Sequence, residues 1–252
     1  MKKINMISAA FGALLMLTAS ITTANSVEIR AGISASAMGA YANAKETLKG
    51  DGSGTGDQTG RTTDAEAVLA TSFASIFAEV SSEEMMGLGI GVSYAPEVVD
   101  LNKETRQINT CNDQTGRRTG AACVAKTGTG ADSGTTTVDA KINDLFSVYL
   151  TLPLGGEGAY AKVGYIQATM VTEESLATGS KYADIDMTGM EVAGGYEGSL
   201  GDMAFWRAEG SYQMWEDISA SGSEAGVTSA AKNKIEAELG SVTGSLSIGM
   251  KF

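Results

Sequence analysis

Apolar and polar residues alternate at every second position along the C-terminal end of the chain. From residue 242 onward, the apolar side of this alternation consists of Val242, Gly244, Leu246, Ile248, Met250 and Phe252. The intervening positions hold Ser, Thr, Gly249 and Lys251. Because successive side chains of a β-strand point to opposite faces, this period of two predicts a final strand with one apolar face and one face of small or polar residues.

The same alternation predicts seven strands further upstream, which makes eight in all. It is clear in four segments, 27–37, 86–94, 146–154 and 206–214. It is weaker in three segments, 72–81, 159–171 and 187–197. The face that points inward stays open for 72–81, where bulky residues stand on both faces, and for 159–171, where Lys162 is the main guide.

The connections between these strands alternate in length. Long polar connections are predicted at 43–70, 97–141, 172–186 and 217–233, and short turns at 82–85, 155–158 and 198–202. Residues 230–239 also fit a helix, and we interpret their end as the start of the last strand. An even number of strands with long connections on one side and short turns on the other predicts an all-β, eight-stranded antiparallel up-and-down transmembrane β-barrel with four long external loops.

The polar faces of the strands decide which way the barrel is turned. A soluble periplasmic carrier barrel has its apolar face inside and a densely charged exterior, whereas a membrane barrel has its apolar face on lipid. Here the polar faces are mostly Gly, Ser and Thr with single charges of both signs, which favours a crowded lumen. We therefore predict a polar network in the lumen, formed by Arg30, Lys162, Glu191, Arg207, Glu209 and Lys251.

Two readings of this network remain open. Arg207 and Glu209 lie two residues apart on one strand and so point to the same side. They could form a charged gate on an ion path, or a satisfied internal ion network that fixes strand register. On the opposite face, Trp206, Tyr196 and Tyr212 are predicted to belong to the aromatic girdle at the membrane interface.

The N-terminus has the features of a secretory signal peptide. Lys2 and Lys3 precede a short apolar stretch at 7–17, and small residues follow before residue 26. We predict a signal peptide at 1–26 and a single barrel domain at 27–252.

Three segments resemble a known group of proteins. They are the terminal LSIGMKF, the segment AYAKVGY at 159–165, and the hairpin GMEVAGGYEGSLGDMAFWRAEGSY at 189–212. Together they resemble the small outer-membrane β-barrel superfamily, the group around the transmembrane domain of outer-membrane protein A and the opacity-type adhesins. The resemblance implies a Gram-negative outer membrane, contact with outer-membrane lipid, and insertion by the assembly machinery that reads Phe252 as its signal.

Composition narrows the functions that this barrel could have. The chain has 18 basic and 30 acidic residues, a net charge of -12, and no His. The acidic balance argues against a nucleic-acid partner, because phosphate contacts need clustered Lys and Arg. The missing His excludes imidazole-based nucleophile systems and His-ligated zinc, and the enzymes of the resembling group use a His. We expect no catalytic residues, no cofactor and no metal site.

The second long connection holds both cysteines of the chain, Cys111 and Cys123. In an exported protein they are expected to form a disulfide, with two free thiols as the alternative. Long loops on a rigid scaffold usually carry binding. The expected role is therefore structural or surface interaction, adhesin-like or receptor-like, with a ligand or a cell at the cell surface; the alternative is a narrow porin-like channel for small solutes or ions.

Overall fold

A computed structural model of the chain describes residues 27–48, 61–82, 86–110, 132–155, 158–175, 183–222 and 234–252. The predicted signal peptide and the Cys111–Cys123 pair lie outside these residues, so both stay predictions. Within the described part of the chain, no helix is long and apolar enough to cross a membrane.

The described residues form nine strands. Their bounds are β1 Val27–Leu48, β2 Arg61–Ser82, β3 Leu88–Thr110, β4 Asp132–Pro153, β5 Ala159–Ser175, β6 Ile185–Leu200, β7 Ala204–Trp215, β8 Ile218–Ser221 and β9 Lys234–Lys251. β7 pairs with the part of β9 nearer the short turns, called the lower part here, and β8 pairs with the upper part of β9. β7 and β8 together therefore occupy one of the eight strand positions, or staves, of the barrel wall. All neighbours are antiparallel, and β1 pairs with β9 to close the sheet. The predicted eight-stranded all-β barrel is confirmed.

The closure of the barrel has a measurable stagger. A path that steps from each residue to its pairing partner on the next strand runs once around the wall. It starts at Tyr41 on β1, crosses β9, β7, β6, β5, β4, β3 and β2, and returns to β1. The path runs through Gly240, Met214, Met190, Tyr165, Val148, Val92 and Ala78, and ends at Ala31. The return point lies ten residues below the start, so the strands tilt strongly against the barrel axis.

The apolar faces point outward. Ile33, Leu246 and Ile248 are 65%, 68% and 61% exposed, although they are among the most hydrophobic residues of their strands. The opposite positions line the interior, and Glu79 is 0% exposed. The orientation of segment 72–81, which the sequence left open, is thereby settled: Phe77 and Glu79 point into the lumen.

The strands are longer than the sequence predicted. Residues 43–48, 61–70, 97–110 and 132–141 were expected to be loop but are paired strand, and so are 172–175 and 185–186. Residues 218–221 form β8, and residues 234–239 are strand with no helix. The physical reason is that neither face of a hairpin outside the membrane has to be apolar, so the alternation ends there. The backbone hydrogen bonds between the two strands do not depend on that alternation and continue beyond it. The turn predicted at 198–202 lies at 201–203.

The contact between β2 and β3, called the β2–β3 seam here, has a short backbone ladder. β2 and β3 are in register only from Ile76–Tyr94 to Ser82–Leu88, while β1 and β2 are paired over the whole length of both strands. Beyond Ile76 and Tyr94, β2 keeps its pairing with β1 and β3 keeps its pairing with β4. Pro96, which has no N–H to donate, lies just past the last paired position.

Candidate functional site

The lower end of the lumen, next to the short turns, is filled by an ion cluster. Arg207 Nη2 donates to Glu197 Oε2 at 2.9 Å and Nη1 donates to Glu79 Oε2 at 3.2 Å. Lys251 Nζ donates to Glu197 Oε1 at 2.7 Å, and Arg30 Nη1 lies 3.2 Å from Glu197 Oε2. Two buried carboxylates therefore share three cations contributed by β1, β7 and β9.

A second ion cluster lies on the facing strands β5, β6 and β7. Lys162 Nζ bonds to Glu209 and lies 3.3 Å from Glu191 Oε2. Tyr160 Oη donates to Glu209 Oε2 at 2.7 Å, and the Lys162 ammonium stands 5.1 Å from the centre of the Tyr149 ring. The side chains of Lys162, Glu191 and Glu209 are each about a tenth exposed or less, so their charges are held away from water.

Aromatic rings separate and cover these charges. The Arg207 guanidinium lies 4.8 Å from the Tyr160 ring and 5.5 Å from those of Phe77 and Phe205, distances at which cation–π attraction acts. Lumen-facing glycines on neighbouring strands make room for the rings. A Cβ added to any of four glycines would come within 2.7 Å of a lumen ring, the pairs being Gly32–Phe77, Gly91–Tyr149, Gly195–Tyr160 and Gly249–Phe205.

The six residues predicted for the lumen network are all found in the lumen, but they fall into two clusters. Arg30, Arg207 and Lys251 belong to the lower one, and Lys162, Glu191 and Glu209 to the second. Arg207 and Glu209 are not paired with each other, because side chains two apart on a strand reach different neighbours across a curved wall.

The sequence did not single out the two acids that Arg207 contacts. Glu79 stands on the strand of undecided orientation, and Glu197 lies close to a predicted turn. The remaining charge of the lower cluster is Glu28, which bonds to Arg30. Phe73, Ser75, Phe77 and Glu79 stand at every second position of β2 and therefore share one face of the strand. The sequence did not show that this face points inward, so it could not assign Glu79 to the lumen.

A small cavity of about 70 Å³ lies above the ion clusters. One wall, from β1, β7 and β9, is lined by the hydroxyls of Ser34, Ser36, Ser211, Thr243, Ser245 and Ser247. The other wall, from β2 to β5, combines the apolar or aromatic residues Phe73, Phe77, Ala95, Leu145, Tyr149 and Ile166 with Ser75, Ser93, Ser147 and Lys162. Three buried polar atoms on its lining, Ser147 Oγ, Arg207 Nε and Thr243 Oγ1, have no hydrogen-bond partner among the described residues.

Above the cavity the lumen is apolar, which the sequence did not predict. The buried members of this cluster are Met38, Ala95, Val98, Val99, Leu145, Ile166, Ala168, Met187 and Ile218. Trp215 packs against it and directs its indole N–H to Ser241 Oγ at 3.4 Å. The expectation of a lumen lined throughout by small polar residues is therefore wrong for the outer half, where bulky apolar side chains from seven strands fill the interior.

The aromatic residues predicted for the membrane interface face outward. Trp206 and Tyr196 lie side by side near the short turns, with ring centres 5.9 Å apart. Tyr212 lies higher, and its hydroxyl is 3.1 Å from that of Tyr41, a residue that the sequence did not single out. Phe252 is 65% exposed, and its backbone exchanges two hydrogen bonds with Ile29 of β1.

The hairpins above the apolar face carry charges on their outer side. Glu66 and Glu238 flank Asn43 in the register of β2, β1 and β9. Lys234 Nζ donates to Glu236 Oε1 at 2.6 Å, and this hydrogen bond lowers the pKa of the Glu236 carboxyl. Within the described residues, no group of three His, Cys, Asp or Glu side chains is arranged to hold a metal ion.

No protein-family model matches the chain, and no curated protein matches it. Among solved structures, the outer membrane protein OprG from Pseudomonas aeruginosa is similar at 14% identity and TM-score 0.43, covering 88% of this chain and 97% of that one. The outer membrane protease OmpT from Escherichia coli aligns at 12% identity and TM-score 0.41, over 89% and 97%. Ail, the attachment invasion locus protein of Yersinia pestis, aligns at 12% and TM-score 0.35, over 88% and 99%. The eight-stranded antiparallel barrel is shown by the strand pairing itself, and similarities this distant say nothing of a specific role.

Proposed function

We propose that this protein is a non-catalytic integral barrel of the bacterial outer membrane that acts at the cell surface through its projecting hairpins. The observation that carries the proposal is the contrast between a lumen filled by side chains and a wall whose strands continue well beyond the apolar face. The inside offers no open passage, whereas the outside presents a stiff paired framework.

The placement in a membrane follows from the exterior. Large apolar residues cover the outer face of every stave, and a water-exposed surface of this kind would aggregate. Apart from the interruption between β2 and β3, the closed sheet satisfies its backbone polar groups internally, which hydrocarbon demands. The predicted signal peptide directs such a barrel out of the cytoplasm, and the outer membrane is the compartment where single-chain barrels of eight strands reside.

The lumen argues against a channel. Arg207, Glu79 and Glu197 bridge the lower end from three strands, and Met38, Leu145 and Met187 fill the upper end. An ion would have to break buried ion pairs and then cross an apolar layer, and both steps are costly. The satisfied ion network is therefore the interpretation that we favour over the charged gate.

The hairpins supply the surface for interaction. β3 and β4 stay paired up to Thr110 and Asp132, far above Tyr94, with two register shifts on the way, and the connection between them holds the predicted Cys111–Cys123 bridge. A loop held at both ends by paired strands loses less entropy when a partner binds. The acidic outer positions of β2 and β9 favour partners that present basic or hydrogen-bond-donating groups.

The test compares the intact protein with a variant in which residues 101–140 are replaced by a two-residue turn. In planar bilayers both should give only small and rare conductance steps. Cells that display the intact protein should attach to surfaces and to neighbouring cells, and cells that display the shortened variant should lose that attachment while the barrel still resists detergent unfolding. Large, steady and ion-selective currents from both proteins would contradict the proposal and support the narrow channel.

A further inference from the structure

The backbone ladder between β2 and β3 is interrupted above the short turns, and this interruption is called the window below. The last paired position joins Ile76 to Tyr94. Above it, Thr71 Oγ1 donates to the carbonyl of Val98 at 3.0 Å and ties the two strands together again. Between these two links the strands are not in register, and Pro96 cannot donate a ladder hydrogen bond there.

The window lies at the depth of the lipid. Val68 of β2 is in register with Tyr41, the upper outward-facing aromatic of β1. The part of β2 between these two links, residues 72–75, therefore lies below that level, in the apolar belt. Its outward positions are exposed and small or apolar, as expected for a surface against hydrocarbon.

The internal cavity borders on this window from the inside. Phe73 and Ser75 of β2 and Ala95 of β3 line the cavity, and all three stand above the last paired position. On the side of the window the lining is mixed, with Phe73 and Ala95 beside the hydroxyls of Ser75 and Ser93, and on the far side hydroxyls predominate. A molecule entering from the membrane would meet this mixed entrance first and a denser set of hydroxyls at the end.

The lining of the cavity, on both of its walls, contains unused hydrogen-bond donors. Ser147 Oγ, Arg207 Nε and Thr243 Oγ1 are buried and have no partner among the described residues. Buried polar groups are normally hydrogen-bonded, so three on one cavity indicate a ligand with acceptor oxygens. The lumen clusters hold five carboxylates, Glu28, Glu79, Glu191, Glu197 and Glu209, against the four cations Arg30, Lys162, Arg207 and Lys251. An added carboxylate would increase this excess, so an uncharged head group fits better.

We propose that the cavity is a binding site, reached sideways from the outer leaflet, for single-chain amphiphiles with a small uncharged oxygen-bearing head, such as long-chain alcohols. The head lies against Thr243 and Ser147, within reach of Arg207 Nε, and the chain passes between β2 and β3 into the lipid. About 70 Å³ accommodates a head of a few heavy atoms and no more, so the chain has to remain outside. This site is separate from the surface role proposed above.

The test uses the folded barrel in phospholipid nanodiscs and a dodecanol that carries a photoreactive diazirine beside the hydroxyl. After illumination, mass spectrometry should find the label on cavity residues such as Phe73 and Ser147. Labelling spread evenly over outward residues such as Val163, Val192 and Leu246 would overturn the proposal. The matching dodecanoate at pH 8 should label the cavity several-fold less, and equal labelling would overturn the uncharged head.

A bridged variant tests the route. Ser75→Cys with Ala95→Cys, in a Cys111→Ser, Cys123→Ser background, allows the window to be closed by oxidation after folding. Closure should reduce cavity labelling by about tenfold relative to the reduced form of the same protein. The control is Ser34→Cys with Ser247→Cys, whose hydroxyls are 2.7 Å apart on the opposite wall of the same cavity. An equal loss in both bridged proteins, or no loss in either, would overturn the lateral route.

A matched pair of substitutions tests the head position. Thr243→Val and Thr151→Val remove the same hydroxyl from buried lumen positions, but only Thr243 lines the cavity. Thr243→Val should lower the affinity for dodecanol roughly three- to tenfold, the loss expected for one hydrogen bond. Thr151→Val should leave it unchanged, and equal affinities for the two variants would overturn the placement. Gel migration of unheated samples verifies that every variant is folded.

Discussion

At the scale of single residues, the lumen depends on a few charges that cannot be removed one at a time. Glu79 is fully shielded and lies beside two cations, Arg207 and Arg30. Glu197 is held by Lys251, Arg207 and Arg30 together. A buried charge that loses its partner is far more costly than the loss of the whole pair.

The first prediction concerns this pairing. Arg207→Ala should lower the free energy of unfolding by about 3–5 kcal/mol, because it leaves the buried Glu79 with Arg30 as its one remaining cation among the described residues. The double variant Arg207→Met, Glu79→Gln should cost less than Arg207→Ala, since it removes both charges and keeps most of the volume. Urea unfolding of the barrel in detergent micelles measures both. Equal stabilities of the Arg207→Ala variant and the parent protein would contradict the prediction.

The second prediction concerns close packing across the lumen. A Cβ at Gly32 would lie 2.4 Å from the carbonyl oxygen of Ile248 and 2.7 Å from the Phe77 ring, whereas a Cβ at Gly39 would meet nothing within 4 Å. Both glycines are on β1. Gly32→Ala should therefore destabilise the barrel by roughly 2 kcal/mol or more, within the range for overpacking. Gly39→Ala should be neutral or slightly stabilising in the same urea titration, and equal effects would show that the lumen can expand.

At the scale of elements, the staves differ in how firmly they are joined. β1 is paired with β2 and β9 along nearly its whole length, and β2 is joined to β3 only up to Ile76–Tyr94. Local opening of a sheet is easiest where the backbone ladder is shortest. The β2–β3 seam is therefore expected to be the most mobile part of the wall within the apolar belt.

Amide hydrogen exchange of the barrel in nanodiscs measures this third prediction. Amides of residues 72–75, 95 and 97–99 should exchange faster than those of residues 33–37 on β1, which are paired on both sides. The comparison within one sample needs no variant. Uniformly slow exchange around the whole wall at this depth would show that the seam is as tightly closed as the others.

At the scale of the whole molecule, the first and the last of the described strands close the barrel. The backbone N–H of Phe252 donates to Ile29 O at 2.8 Å, and Ile29 N–H donates to Phe252 O at 3.2 Å. The Phe252 side chain is mostly exposed and packs against little of the protein. We therefore expect the ring to matter more for the predicted recognition by the assembly machinery than for the stability of the finished barrel.

The fourth prediction separates these two roles. Phe252→Asp should strongly reduce insertion into the outer membrane of living cells, because the assembly signal is lost. The same variant, purified and refolded in detergent, should still form a barrel whose stability is within about 1 kcal/mol of the parent, as is usual for exposed positions. Phe252→Tyr is the control that keeps an aromatic ring. Normal insertion of Phe252→Asp in cells would contradict the assembly-signal role.

The period-two pattern by itself determined the strand number, the antiparallel order and the outward direction of the apolar faces. These features follow from the sequence because lipid imposes the same demand on every stave, and the demand repeats along each strand. The identity of six lumen charges followed as well, since Arg30, Lys162 and Lys251 share the parity of small residues.

Only the tertiary structure decided which of those charges meet, that Glu79 and Glu197 hold Arg207, and that the outer half of the lumen is apolar. Which charges pair depends on the ten-residue stagger of the closed wall, because the stagger decides which residues of distant strands lie at the same height in the lumen. The sequence of a single strand does not contain this information. The strand extensions and the β2–β3 window escaped the sequence for a related reason. Backbone pairing outside the membrane leaves no apolar pattern, and where pairing ends depends on two strands at once.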